Sequence, residues 1–201
     1  MDTSNDAGKE KKETLLKEVL KYALFALIIV LPVRTWIAQP FVVNGGSMDD
    51  TFKDGQYLIV DEISYRFKSP ERGDVLIFRY PEDTSKYFIK RLIGLPGETV
   101  IVKNDSVTIE NAEYPAGIAL NEPYTGSRTL GNTSVTLGTD EYFVMGDNRI
   151  VSLDSRAWGA LPKSDIIGRP VLRLLPFGKM GTFPGAVASS SMIGGTTAPA
   201  Q

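Results

Sequence analysis

The stretch YFIKRLI, residues 87–93, indicates the fold class. Its side chains alternate across an extended strand, so Lys90 shares a face with Phe88 and Leu92. Similar short apolar runs recur along the chain, separated by Gly, Pro, Asp and Asn. They lie at 56–60, 74–80, 99–102, 106–109, 142–145 and 171–174. This pattern predicts a mainly β fold.

The same stretch offers a candidate base. An ammonium group among apolar neighbours is disfavoured, and burial can lower a lysine pKa by several units, which frees a neutral amine for general-base chemistry. The alternative is that Lys90 or Arg91 extends from an edge strand to solvent. Because both faces of the strand are apolar, the pattern does not decide which of the two residues is interior.

Composition excludes several function classes. The 201 residues are 42% apolar, enough for one core or for one core with a small subdomain. A net charge of −2 predicts no nucleic-acid partner. The chain has no cysteine and no histidine, so we expect no metal site, no cofactor and no Ser-His-Asp triad. Any nucleophile must therefore be activated without imidazole.

A candidate nucleophile stands in the stretch NGGSM, residues 44–48. Two glycines permit a tight turn that could present the Ser47 hydroxyl. Gly-Gly-Ser is also the composition of a flexible joint, and this stretch alone does not decide between the two.

The N-terminal part of the chain suggests a membrane anchor. Residues 22–33 carry no charge and follow several lysines, which predicts a cytoplasmic segment at 1–18 and a transmembrane helix at 19–38. Arg34 and Trp36 suit the far interface. The apolar run is short for a span, so a buried helix or a signal-peptide core is the alternative.

The remaining chain divides by composition. We expect a β-rich extracytoplasmic catalytic domain at 39–181, with an inserted hairpin or subdomain at about 103–138. Residues 182–201 are small, polar and aperiodic, which predicts a disordered tail. This tail holds a small-x-small motif ending at Ala188, which suggests self-processing, although chance explains it better.

A third candidate segment is GDNRIVSLDSRAWG, residues 146–159. Its turn formers, hydroxyls and potential Asp154–Arg156 ion pair suit a loop packed under a site. It could equally be a polar surface loop, where charge pairs contribute little.

Several short motifs occur in a fixed order along the chain. They are the anchor with RTW at 34–36, PFVV at 40–43, GSM at 46–48, RGDV at 72–75, KRLIGLPG at 90–97, and GDN at 146–148 with Ser152, Asp154, Ser155 and Arg156. This ordered set of motifs is specific, and it resembles bacterial type I signal peptidases, in particular their short, single-anchor members. The resemblance runs from about residue 15 to 180.

The resemblance implies a membrane-bound serine endopeptidase with a β fold, acting on signal peptides of secreted preproteins after a small-x-small motif. Its site would lie at the outer face of the bacterial cytoplasmic membrane, in contact with lipid. By position, Ser47 is the nucleophile and Lys90 the general base. The supporting residues implied are Ser152, which orients the lysine amine, Asp154 and Arg156, which brace the loop, and Met48, which shapes the floor.

Two positions depart from the family pattern. The proline usual shortly after the serine is absent, the residues here being Asp49 and Asp50. Gly45 stands where some members place an oxyanion-donating serine, so the oxyanion hole would rest on backbone donors, chiefly the Ser47 amide. Two alternatives stay open: a Ser-Lys protease with a narrow or self-directed substrate, and a membrane-tethered β module that binds without cleaving.

Overall fold

The computed structural model describes residues 6–32, 38–49 and 51–193. The chain separates into two compact units, Met1–Gln39 and Pro40–Gln201.

The first unit contains helix α1, Asp6–Pro32. Its described apolar side chains are exposed, among them Phe25 and Ile28. No helix within 6–32, 38–49 and 51–193 combines the length and apolar character of a membrane span. The predicted transmembrane helix at 19–38 is therefore not supported, and its bounds were wrong because Ala38 lies in a strand. Residues 33–37 lie outside the described part of the chain.

Charged residues within α1 explain why this helix lacks the apolar character of a membrane span. Lys17, Glu18 and Lys21 belong to the same helix, and only the segment from Tyr22 to Pro32 is free of charge. That segment is shorter than the roughly 20 residues that a span requires.

The second unit is built on antiparallel strands, which confirms the predicted mainly β fold. The strands are β1 (Ala38–Val42), β2 (Tyr57–Asp61), β3 (Val75–Tyr80), β4 (Asp83–Gly94), β5 (Thr99–Lys103), β6 (Ser106–Glu110), β7 (Ile118–Ala119), β8 (Thr133–Thr136), β9 (Glu141–Met145), β10 (Leu161–Pro162), β11 (Ile166–Leu175) and β12 (Gly181–Thr182). The larger sheet has the order β1-β2-β11-β3-β4-β9-β10, with β12 paired to β11. Strand β4, which contains the stretch quoted first, is central in this order.

A second, four-stranded sheet has the order β7-β6-β5-β8. It corresponds to the subdomain expected at about 103–138 but begins earlier, with β5 at Thr99. Val100, Val102, Val107 and Ile109 point inward from β5 and β6 and pack with Phe143 and Met145 of β9 into one buried cluster. The small sheet is therefore fused to the main one through a shared core.

The described residues of this unit also form three short α-helices, α2 (Ser64–Phe67), α3 (Ser155–Trp158) and α4 (Ser189–Ile193), and two 3-10 helices, Lys163–Asp165 and Phe177–Lys179. Helix α4 and strand β12 fall in the region predicted to be a disordered tail. Over 182–193 that prediction was wrong, because Met192 is fully buried in the core beside Phe143 and Met145. Residues 194–201 lie outside the described part of the chain.

Candidate active site

Ser47 lies in a tight turn between β1 and β2. The amides of Thr51 and Phe52 both donate to the Met48 carbonyl, at 2.8 and 2.5 Å. The Met48 side chain is fully buried with Phe52 in a cluster below the turn. The turn is thus fixed from beneath, and Gly-Gly-Ser is an ordered element here rather than a flexible joint.

Gly45 permits the approach to this turn. Its φ of +85° lies in the left-handed region that favours glycine. Its amide donates to Asp54 Oδ1 at 2.8 Å, which ties the approach to the turn before β2. A serine at this position would carry backbone strain.

The turn is also clamped by the loop that follows β9. The Asn148 amide donates to the Ser47 carbonyl at 3.0 Å, and Asn148 Nδ2 donates to the Gly46 carbonyl at 3.1 Å. Gly146 stands at the closest approach, where a Cβ would overlap both Ser152 Oγ and the Ser47 carbonyl oxygen. The predicted segment 146–159 therefore does pack against the candidate nucleophile.

Ser47 and Lys90 lie within hydrogen-bonding distance. Lys90 Nζ donates to Ser47 Oγ at 2.7 Å and to the Ile89 carbonyl at 3.0 Å. The lysine side chain is 4% exposed and lies near the Phe88 ring, 5.1 Å from its centroid. Both hydrogen-bond acceptors of the amine are uncharged.

The environment of Lys90 favours its neutral form. Burial lowers the Lys90 pKa from 10.5 to about 8, opposed in part by the nearby charges of Asp154 and Asp147. With a pKa of about 8, about a tenth of the amine is neutral at pH 7 and about nine tenths at pH 9. A buried neutral amine 2.7 Å from a hydroxyl can accept its proton.

Asp154 and Arg156 hold the loop beneath the lysine. Asp154 Oδ2 accepts from the Gly146 amide at 3.0 Å and from Arg156 Nη2 at 2.8 Å, and the Asp154 side chain caps α3 through the Arg156 amide. Arg156 also donates to the carbonyls of Leu130 and Arg149. The ion pair expected from the sequence is thus present, and it connects the loop to the small-sheet region.

Ser152 differs from the expectation. Its hydroxyl is buried and has no hydrogen-bond partner in the described residues, so it does not bond the lysine amine. The hydrogen-bond partners of the amine are Ser47 Oγ and the Ile89 carbonyl. Ser152 Oγ lies instead against Gly146.

The sequence analysis missed a buried ion pair beside this site. Arg91 Nε and Nη2 donate to the two oxygens of Asp147, at 2.8 and 2.6 Å, and both side chains are fully buried. Thr51 Oγ1 donates to the same carboxylate, and the Asp147 amide lies 3.3 Å from Met48 Sδ. The sequence does contain one indication of this pair: Arg91 lies in an apolar strand, and a buried guanidinium requires a carboxylate partner.

A cleft of about 530 Å³ leads to the Ser47–Lys90 pair. Its walls come from the strand before Ser47, from β4 and from the loop after β9. The lining residues are Pro40, Phe41, Val42, Val43, Asn44, Gly45, Gly46, Ser47, Leu58, Ile77, Tyr87, Phe88, Ile89, Lys90, Val151 and Leu153. At one end Phe41 and Tyr87 meet edge to face, with centroids 5.7 Å apart.

Two further features bear on the predicted chemistry. Within the described residues the Ser47 amide has no acceptor, so it is a candidate oxyanion donor.

Asp50, one of the two departures from the family pattern, lies outside the described residues. The side chains described contain no group of three or more His, Cys, Asp or Glu placed to hold a metal ion.

Comparison with known proteins identifies the family of this chain. Residues 16–175 match the family model described as signal peptidase, peptidase S26. A probable signal peptidase I-1 of Synechocystis sp. is 37% identical over 179 residues, covering 84% of this chain and 88% of the relative. Signal peptidase I P of Bacillus subtilis subsp. natto is 37% identical over 176 residues, covering 85% and 94%.

Among solved structures, a signal peptidase I from Enterococcus faecalis V583 is 30% identical, covers 51% of this chain and 97% of its own, and gives a TM-score of 0.43. The family match extends over most of the chain, and the two relatives align over most of their own length. The chain therefore belongs to the signal peptidase family, peptidase S26, and is a peptidase, a hydrolase of peptide bonds.

Proposed function

We propose that this peptidase removes N-terminal signal peptides from exported preproteins by a Ser47–Lys90 dyad. The observation that carries the proposal is the 2.7 Å separation of Ser47 Oγ and Lys90 Nζ at the end of a peptide-sized cleft. The lowered Lys90 pKa supports the role of a base, and the absence of histidine leaves few other candidates.

The mechanism follows from these groups. The neutral Lys90 amine takes the Ser47 hydroxyl proton while Oγ attacks the substrate carbonyl carbon. The Ser47 amide donates to the developing oxyanion. The Lys90 ammonium then protonates the leaving amine, and the peptide bond breaks to leave an acyl-enzyme on Ser47. A water gives its proton to Lys90 and attacks the ester carbonyl carbon. Lys90 passes this proton to Ser47 Oγ as the ester bond breaks, which releases the signal peptide with a free carboxyl group and restores both Ser47 and the neutral Lys90.

The supporting residues have distinct roles in this proposal. Asp154 and Arg156 hold the loop that clamps the nucleophile turn, and Met48 fixes the turn from below. Gly45 supplies the backbone conformation that leads into it. Near the dyad the cleft is walled by Val43 and Ile89, apolar surfaces that suit the small residues of a small-x-small motif.

Membrane attachment stays a prediction of the sequence. Apolar side chains of α1 between Val19 and Ile28 are exposed, which is compatible with contact to lipid. Alkaline carbonate extraction of membranes from expressing cells tests it, with the protein expected in the pellet. Release into the supernatant would contradict membrane anchoring without bearing on the dyad.

The self-directed alternative receives less support from the geometry. The Ala188 carbonyl accepts from the Ser191 amide at 3.0 Å and from Ser191 Oγ at 2.7 Å, at the start of α4. A peptide bond folded into a helical turn cannot lie extended in a cleft. Mass spectrometry of the purified chain checks this, with an intact C-terminus expected.

Cleavage of a purified preprotein tests the proposed function. Ser47→Ala and Lys90→Ala should each lower kcat by at least about 10⁴-fold, as removal of a nucleophile or base does elsewhere. Lys90→Arg should be equally inactive because arginine supplies no neutral base. Lys86→Ala is the matched control, since Lys86 lies on the same strand with 64% of its side chain exposed. Retained cleavage in any Ser47 or Lys90 variant would exclude the dyad and require another nucleophile or base, whereas no cleavage by the wild-type chain would favour a binding module.

A further inference from the structure

Residues 181–193 form a segment, here called the C-terminal strap, that lies beyond the family match at 16–175. It is attached at both ends. Strand β12 pairs with β11, and the Phe183 amide donates to the Val171 carbonyl at 2.8 Å. At the other end Met192 is fully buried, and its carbonyl accepts from the Asn121 amide at 2.8 Å. The strap thus crosses from the main sheet to the small one.

The middle of the strap contacts Arg91. The Gly185 carbonyl accepts from Arg91 Nη1 at 2.7 Å, and the same nitrogen donates to the Gly73 carbonyl at 2.7 Å. Gly73 makes room for the strap, because a Cβ there would overlap the Val187 carbonyl oxygen and stand 3.1 Å from Met192 Sδ. One of the donors of a fully buried guanidinium is therefore satisfied by the strap backbone.

Arg91 connects the strap to the nucleophile turn. Arg91 Nε and Nη2 donate to the Asp147 carboxylate, which also accepts from Thr51 Oγ1. Thr51 belongs to the turn that holds Ser47, and its carbonyl accepts from Arg173 Nη2 at 2.9 Å. A continuous set of hydrogen bonds thus runs from the strap to a residue four positions after the nucleophile.

The strap also touches this turn directly. Gly185 has a φ of +76°, and a Cβ on it would overlap Thr51 Cγ2 and stand 2.9 Å from Phe52 Cε2. The strap backbone is therefore packed against the same two residues whose amides close the Ser47 turn.

We propose that the C-terminal strap is a positioning element of the active site, which fixes the Ser47 turn through Arg91, Asp147 and the Gly185–Thr51 contact. The inference rests on the proposed function and adds a segment that the family match does not include. The strap residues do not line the cleft, so the strap acts on the placement of Ser47 and not on substrate binding. Its loss should lower kcat and leave KM within about twofold.

The first test compares two glycine substitutions in the full chain. Gly185→Ala forces a methyl group against Thr51 and Phe52, whereas Gly178→Ala meets no atom within 4 Å. For Gly185→Ala we expect at least a tenfold loss of kcat with preprotein and a matching loss in the rate of Ser47 labelling by a small serine acylator. For Gly178→Ala we expect wild-type values.

The second test uses two methionines near the C-terminus. Met192 is fully buried and Met180 is 54% exposed, so Met192→Ala should loosen the strap while Met180→Ala should not. Met192→Leu restores the apolar volume and should recover most of the kcat that Met192→Ala loses. Thermal unfolding of each variant shows whether the protein is folded at the assay temperature. If Met192→Ala is unfolded at that temperature, the Gly185→Ala variant tests the inference.

The outcomes separate the two proposals. No cleavage by the wild-type chain would count against the proposed function itself. Cleavage by the wild type, with wild-type kcat in folded Gly185→Ala and Met192→Ala, would overturn the strap inference alone. A lower Tm with unchanged kcat would also overturn it, because the strap would then be only structural. A raised KM with unchanged kcat would overturn it as well.

Discussion

Lys90 and Arg91 are consecutive residues of β4 whose side chains leave opposite faces of the strand, and both are buried, at 4% and 0% exposure. Arg91 is matched by a bidentate carboxylate, whereas Lys90 hydrogen-bonds only to uncharged oxygens. An arginine stays charged under these conditions, and an unpaired buried lysine loses its proton more readily. The two neighbouring basic residues therefore have opposite electrostatic environments: Arg91 has a charged partner, and Lys90 has uncharged ones.

The Lys90 pKa predicts the pH dependence of cleavage. Only the neutral amine is a base, so kcat should rise with pH and level off above the Lys90 pKa of about 8. Below pH 7 each unit of pH should lower kcat about tenfold. Measuring kcat with a fluorogenic signal-peptide substrate from pH 6 to 10 tests this rise. A flat profile across this range would contradict Lys90 as the base.

Burial of Lys90 should also cost stability. Its folded-state pKa of about 8 lies below the unfolded value of 10.5, so the unfolded chain binds more protons between these values. The destabilisation is fully present below pH 8 and disappears as pH rises towards 10.5. At pH 7 this destabilisation is on the order of 3 kcal/mol. The hydrogen bonds that the Lys90 amine makes in the folded state offset part of it.

The inactive variant Lys90→Met should therefore be more stable than the wild type at pH 7, by about 1 to 3 kcal/mol in the free energy of unfolding. The difference should shrink when urea unfolding is repeated at pH 10. If Lys90→Met were less stable than the wild type at both pH values, burial of the Lys90 ammonium would not destabilise the fold.

Removing Asp147 should strongly destabilise the fold. Asp147→Ala leaves the Arg91 guanidinium buried without its carboxylate, a change that typically costs about 3 to 5 kcal/mol. Asp83→Ala is the control, because its ion pair with Lys86 is exposed and should contribute little. Urea unfolding measures both variants. Equal effects would mean that the Arg91–Asp147 pair contributes no more than a surface pair.

Ser152→Ala should leave stability unchanged or raise it slightly. The Ser152 hydroxyl is buried without a hydrogen bond in the described residues, so its removal relieves the cost of an unpaired polar group. Thermal unfolding measures the change, and the cleavage assay reports any catalytic role separately. A drop of more than about 1 kcal/mol in the free energy of unfolding would indicate a hydrogen bond at Ser152 that the structure does not contain.

Local patterns predicted the strands and made Ser47 and Lys90 candidates, while the resemblance to signal peptidases gave the two residues their expected roles. Alternation along the strand placed Lys90 on an apolar face, and the absence of histidine and cysteine left few partners for a reactive Ser47. The first inference needs only neighbouring residues and the second needs only the composition, and the structure brings the two side chains together. Long-range pairs such as Arg91 with Asp147 are 56 residues apart in the chain and leave no local periodicity to detect.

The C-terminal strap shows a second limit of sequence patterns. Its small, polar composition resembles disorder, yet one buried methionine and backbone hydrogen bonds attach it to the core. Backbone contacts such as the Gly185 carbonyl to Arg91 do not depend on side-chain type, so composition cannot reveal them. At the N-terminus, charges within α1 shorten the apolar run that suggested a span.

The order of the main sheet has one more consequence. Ser47 follows β1, at one end of the order β1-β2-β11-β3-β4-β9-β10, and Lys90 lies on the interior strand β4. Three strands separate β1 from β4, yet Phe41 and Tyr87 touch across the cleft between these two strands. Because β11 lies between β2 and β3 in this sheet, the proposed dyad depends on a strand from the C-terminal third of the chain. A chain that ends before β11 should therefore lack the proposed activity, although it contains both Ser47 and Lys90.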